Sequence, residues 1–220
     1  KLSQYNTYSY VCGTSNGEVF TGDIVCGKSF TKNLSHSQNG SVYCCCFTSD
    51  GNGILTGGGD KIAKLNINGV IREFSGHSKI IKGCAISSDN EWIVTCSQDR
   101  TLRVYYLDSN RVDVLEGHGD NIESCSITKD DKYIISGSWD KRVLLWDVQS
   151  IHDGNPIFIT IGEHAHFLND VYPFGKDAVV SSSADTTVKL FRIPSISLKD
   201  FKEENSDSNN HHTDLVSGMD

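Results

Sequence analysis

Gly117-His-Gly-Asp-Asn-Ile-Glu-Ser-Cys-Ser-Ile-Thr-Lys-Asp-Asp-Lys-Tyr-Ile-Ile-Ser-Gly-Ser-Trp-Asp-Lys-Arg-Val-Leu-Leu-Trp-Asp-Val148 is the stretch from which the fold of this chain is read. It divides into three strands. Ile122 to Ile127 alternates apolar with polar or small residues, and Tyr133 to Ser136 is short and mostly apolar after a Lys-Asp-Asp turn. Val143 to Val148 is rich in β-branched and aromatic side chains, as strands are. Four positions punctuate these strands: His118, Ser136, Asp140 and Trp146.

The same punctuation recurs along the chain. Asp60, Asp99, Asp140 and Asp185 are spaced 39, 41 and 45 residues apart, and His36, His77, His118 and His164 by 41, 41 and 46. Four residues before each Asp stands a hydroxyl: Thr56, Thr95, Ser136 and Ser181. Six residues after it stand Asn66, Tyr105, Trp146 and Phe191.

Gly-His opening a repeat and Trp-Asp closing its third strand resemble one blade of a WD-repeat β-propeller, whose period of about 40–45 residues these spacings share. The resemblance implies that each His precedes the innermost strand of its blade and that the Asp sits in the turn between the second and third strands. The hydroxyl then lies on the second strand and the Trp on the third, and the four form a buried hydrogen-bond relay. His118, Ser136, Asp140 and Trp146 make the one complete set. His77, Thr95 and Asp99, His164, Ser181 and Asp185, and His36, Thr56 and Asp60 put Tyr105, Phe191 and Asn66 in the Trp place. Phe191 has no donor, so its relay is shortened. One His–Asp pair in every repeat is architecture and not a catalytic centre.

The expected fold class is therefore all-β, a propeller of four full blades plus a partial N-terminal blade in an incomplete ring. Residues 1–35 read as the partial blade, with strands at Tyr8 to Cys12, Glu18 to Thr21 and Phe30 to Leu34, and Asn16 in the place of the repeat Asp. The full blades span about 36–76, 77–117, 118–163 and 164–198. The third carries an inserted loop around His152 to Pro156 before an outer strand at Ile157 to Ile161, and the fourth ends in an outer strand at Ile193 to Leu198. No segment reads as helix. Residues 199–220 are polar and acidic and read as a disordered tail. Seven blades would need about 290 residues. The chain is thus expected to be the C-terminal portion of a longer propeller protein, with the missing blades upstream.

Composition narrows the function. A net charge of −8 argues against nucleic acid or an anionic membrane as partner. Two lysines against six acids put the last 22 residues at −4. Of eight cysteines, Cys45, Cys84 and Cys125 stand at equivalent first-strand places, with Val171 in the fourth, and read as small core residues. Side chains in the Cys44-Cys45-Cys46 run alternate between faces, and no Cys-x-x-Cys occurs. Free thiols place the protein inside the cell, in cytoplasm or nucleus. Asn33-Leu34-Ser35 and Asn39-Gly40-Ser41 match the glycosylation triplet, which such composition also produces by chance.

Chemistry is thinly represented. Gly22 to Ser29 matches the phosphate-binding pattern G-x-x-x-x-G-K-[ST], but Phe30 to Gly40 has no helical apolar stripe to supply the helix N-terminus that such a loop needs. His164-Ala-His166 lacks a third metal ligand, and His211 and His212 lie in the polar tail. No metal or cofactor is expected. The leading expectation is a non-catalytic scaffold for other proteins or a multiprotein complex, with nucleotide binding and the reading of a modified or acidic peptide as alternatives. Within the resemblance, contacts come from the start of the innermost strand and from the residue before the blade Asp. These positions are Ser41, Tyr43 and Gly59; Ile80, Lys82 and Gln98; Asn121, Glu123 and Trp139; and Phe167, Asn169 and Ala184. Trp139 stands out as a large aromatic where the repeat requires none.

Overall fold

A computed structural model describes residues 9–23, 29–36, 40–195 and 197–200. They form five antiparallel sheets met in chain order. The first holds β1 (Ser9–Gly13), β2 (Glu18–Asp23) and β3 (Ser29–Ser35). Three four-stranded sheets come next. β4 (Val42–Phe47), β5 (Gly53–Gly58), β6 (Ala63–Ile67) and β7 (Val70–Phe74) make one; β8 (Ile81–Ile86), β9 (Trp92–Ser97), β10 (Thr101–Tyr106) and β11 (Val112–Glu116) make the second. β12 (Ile122–Ile127), β13 (Tyr133–Ser138), β14 (Arg142–Asp147) and β15 (Phe158–Glu163) make the third, and β16 (Leu168–Phe174), β17 (Ala178–Ser183) and β18 (Val188–Arg192) close the series. Each sheet is a meander in which every strand pairs with its sequence neighbour.

The sheets stack face to face like blades, and the cores lie between them. Leu55, Ala63 and Leu65 meet Ile81, Ile93 and Tyr105 of the next blade. Val94, Leu102 and Val104 meet Ile122, Cys125 and Ile134, while Ile135, Val143 and Leu145 meet Leu168, Val171 and Val179. A strand covered on both faces cannot alternate polar with apolar. All of β5 and β9 is accordingly buried, although the sequence there runs through Gly, Thr and Ser.

This stacking stops at the last sheet. Leu65, Val104 and Leu145 are enclosed, yet their equivalent Leu190 is 60% exposed; Val188, equivalent to Ala63, Leu102 and Val143, is 70% exposed. Tyr172 and Phe174 are also exposed, and Tyr172, Val180 and Leu190 lie directly across from one another on the uncovered face. No closed ring is formed among the described residues.

Three local expectations are corrected. The insertion contains a helix, α1 (Val148–His152), although the sequence reads as strand up to Val148 and as loop beyond it. Asp147 caps it by accepting from Ser150 N at 3.0 Å, and Val148 and Ile151, one turn apart, are buried against the blade β8–β11. Ile193 to Leu198 is not an outer strand: the last sheet has three strands, residues 198–200 are helical, and Pro194 has no N–H for a ladder. Leu198 instead packs into the core beside Val179. Cys125 is buried and Cys84 packs half-buried against the core, but Cys45 is half-buried and belongs to no core cluster. Burial still raises the Cys45 thiol to about 11. Residues 201–220, with His211 and His212, lie outside the described residues, as does Asn39 of the second glycosylation triplet.

Candidate functional site

Each of the four full repeats brings its His, hydroxyl and Asp together. His36 Nδ1 lies 2.8 Å from Asp60 Oδ1 and its Nε2 2.9 Å from Thr56 Oγ1. His77 lies 2.8 Å from both Asp99 and Thr95. His118 lies 2.8 Å from both Asp140 and Ser136, and His164 lies 2.9 Å from Asp185 and 2.7 Å from Ser181. All four imidazoles are buried. An ionised carboxylate only accepts, so Nδ1 carries the proton and the hydroxyl donates to Nε2. Burial alone would raise the Asp99 carboxyl, but hydrogen bonds from Thr101 and His77 hold it down at about 2. Asp140 is likewise lowered against its burial, by His118 and the Gly119 and Arg142 amides.

The fourth member varies as its chemistry dictates. Trp146 Nε1 donates to Ser136 Oγ at 2.9 Å, extending the chain to four groups. Tyr105 instead donates to the Ser75 carbonyl at 3.2 Å. Asn66 turns away to accept from Gly69 N at 2.9 Å, and Phe191 offers only a ring edge to His164.

At the same end, the innermost strands share an irregularity that the sequence does not reveal. The register slips between Val42 and Cys44, Ile81 and Gly83, Ile122 and Ser124, and Leu168 and Asp170. Tyr43, Lys82, Glu123 and Asn169 are therefore unpaired bulge residues, released from the alternation of the strand. Lys82 Nζ sits 4.6 Å above the Tyr43 ring and 3.1 Å from Glu123, so three blades are joined across a groove of about 510 Å³ that Asn169 also lines. Tyr43 remains 47% exposed.

The other expected positions meet in pairs. Gly59 N bonds Ser41 O, Gln98 N bonds Ile80 O, Trp139 N bonds Asn121 O and Ala184 N bonds Phe167 O, at 2.8 to 3.1 Å. Trp139 is 40% exposed and its ring lies 5.4 Å from Phe167 of the next blade. Trp139 thus has a packing neighbour in Phe167.

Two recurrent devices lie outside the His, hydroxyl and Asp pattern. The carbonyl before the relay His is capped by Lys64, Arg142 or Lys189, at 3.1, 2.8 and 2.8 Å. At the opposite end, Thr48, Ser87 and Thr128 each donate to an Asp two residues on and accept from a backbone amide five residues on. The Ser/Thr-x-Asp triplets recur at the repeat spacing and are the available signal.

In the phosphate-loop match, Ile24 to Lys28 lie outside the described residues, but its ends are fixed. Gly22 on β2 pairs with Ser29 on β3, so the match runs on into a strand and not a helix. Among the described residues no group of three or more side chains is arranged to hold a metal.

A family model described as "WD domain, G-beta repeat" matches residues 27–65, 68–105 and 109–147. Each match begins at the outer strand of one sheet and ends on the third strand of the next, so the family unit is offset by one strand from the blade. No curated protein matches the chain.

Proposed function

The chain belongs to the WD-domain, G-beta repeat family, whose domains generally act as protein-interaction scaffolds, and on that premise we propose that the loop end carrying Tyr43, Lys82, Glu123, Asn169 and Trp139 is its binding face for a partner protein. The observation that carries this reading is the exposure of Trp139 and Tyr43 at one end, among charged residues that belong to no core. Ile80, Gln98, Asn121 and Phe167 border the same surface through the pairs described above. The buried His–Asp pairs are enclosed by their blades and serve stability, not catalysis.

The uncovered face of the last sheet favours one addition. Its Val188 and Leu190 occupy places that are enclosed between blades everywhere else, so the covering element is a further blade. No helix among the described residues is long and apolar enough to cross a membrane, and the seven described thiols are free, which supports a reducing compartment.

The test is affinity capture from native lysate with wild type and Trp139→Ala, alongside thermal melts of both. A lost partner band with a nearly unchanged melt supports the binding face; unchanged bands, or a melt lower by many degrees, return Trp139 to structure.

A further inference from the structure

The charges on the loop end are unevenly divided, and the division has chemical content. Lys61 and Arg100 occupy the turns after the blade Asp in the first two full blades, with φ of 69° and 73°. Both are exposed, as is Lys79, which precedes the Ile80 strand entry of the same blade as Arg100. Among the described residues these three cations make no ion pair, whereas Lys82 is already neutralised by Glu123. The acids in the same two turns, Asp60 and Asp99, are turned inward onto His36 and His77. Of the exposed acids nearby, Glu116 sits on β11 across from Thr101, and Glu73 on β7 is paired with Lys64 at 2.8 Å.

The next two blades differ. Their loop end carries exposed Asp120, Asp170 and Lys141, together with the Trp139–Phe167 pair. The turns at the opposite end of the molecule set Asp50, Asp89, Asp130, Asp131 and Asp177 against Lys129, Lys132 and Lys176 and are acidic on balance. In a chain of net charge −8, three unpaired cations collected at one end form a local positive field, which attracts and orients an oppositely charged partner.

We infer that the binding face takes an acidic segment of a partner protein, its carboxylates over Lys61, Lys79 and Arg100 and an apolar side chain seated on Trp139 and Phe167. The inference rests on the face proposed above and adds the chemistry of its partner. A nucleic acid would meet the same cations, but the acidic remainder of the molecule repels a long polyanion while tolerating a short acidic peptide. Peptide is therefore the favoured ligand.

The experiment uses the full chain and fluorescein-labelled probes followed by anisotropy: a Glu-rich peptide with one central Phe, the same peptide with Lys for Glu, the same with Ala for Phe, and a single-stranded oligothymidylate. Expected are binding of the Glu–Phe peptide that weakens between about 50 and about 200 mM salt, little binding of the Lys–Phe peptide, and weaker binding of the Glu–Ala peptide. The double variant Lys61→Glu, Arg100→Glu should lose about tenfold in affinity, while Lys129→Glu, Lys176→Glu at the opposite end should not. Equal losses from both double variants, equal binding of Glu–Phe and Lys–Phe peptides, or tighter binding of the oligonucleotide would overturn it. Capture of a lysate partner that Trp139→Ala abolishes but Lys61→Glu, Arg100→Glu leaves intact would sink the acidic-segment inference alone and leave the binding face standing.

Discussion

Trp146 and Ser136 are joined by an indole N–H···O bond of 2.9 Å at a position where Asn66 and Phe191 of two other blades bond elsewhere or offer no donor. The bond lies on the line Trp146, Ser136, His118, Asp140, in which every proton points the same way. Trp146→Phe keeps an aromatic ring and removes the donor. It should lower stability by about 0.5–1.5 kcal/mol for the hydrogen bond, with a further loss for the smaller ring, measured by urea unfolding. No change in midpoint would mean that Ser136 finds another donor.

The relay aspartate of the third full repeat has a charged partner besides its His. Asp140 accepts from His118, the Gly119 and Arg142 amides and the Arg142 guanidinium. Asp140→Ala should therefore cost about 1–3 kcal/mol by leaving enclosed donors unpaired. Asp99, where the Thr101 hydroxyl stands in place of the guanidinium, should cost less. Equal melting shifts for Asp99→Ala and Asp140→Ala would contradict this ranking.

Acid should unfold the protein in two stages. Burial is the main reason that His77 lies below its ordinary value of 6.5, so the unfolded chain takes up that proton first. Its contribution is complete above 6.5 and is lost as pH falls through the folded value. Asp99, held at about 2 against an ordinary 3.8, contributes fully above 3.8 and loses its share as pH falls towards 2. Asp140 and Asp185 act in the same direction. Melting temperature should begin to fall below 6.5 and fall faster below 3.8; a rise on acidification from neutrality would refute the assignment.

The insertion helix is a clip between two blades. Ile151 is enclosed beside Trp92, and Arg111 Nη2 donates to the carbonyls of Ile151 and His152 at 2.9 and 3.0 Å. His152 meets both Trp92 and Tyr106 edge-on. Ile151→Ala should destabilise by about 2–5 kcal/mol, and hydrogen exchange should speed up along β11 as well as α1. Exchange confined to α1 would show that the helix only rests on its neighbour.

Gly162 faces Phe191 so closely that a Cβ would fall 2.1 Å from the ring. Gly162→Ala should therefore displace Phe191 and loosen the contact between the last two blades, lowering the melting temperature. An unchanged melt would mean that the ring has room to rotate.

The strands of the third repeat are legible because its sequence is periodic. Ile122–Ile127 is a strand with the expected bounds, and the His, hydroxyl and Asp of four repeats meet at hydrogen-bonding distance because their spacings repeat. The features that the sequence hides have local causes. Five residues with two buried apolar side chains are too short to show a helical stripe, so α1 looks like loop. The bulges leave no trace because Glu123 between Ile122 and Ser124 still looks like ordinary alternation. Whether Ile193 continues the sheet is decided by Pro194 and by the pull of Leu198 into the core, a tertiary effect that no strand pattern contains. For the proposed binding face, sequence indicates positions but not their company: that Trp139 lies against Phe167, and that Lys82 is occupied by Glu123, needs coordinates.

The slipped register at the head of each innermost strand has a consequence for how such a protein diversifies. Tyr43, Lys82, Glu123 and Asn169 belong to no ladder pair and to no inter-blade core, so the constraints that fix Cys125 or Ile135 do not reach them. A change at Tyr43 or Asn169 therefore leaves every strand pair in place, whereas one at Lys82 or Glu123 also breaks the ion pair between their blades. A library randomised at Tyr43 and Asn169 alone should be rich in well-folded members.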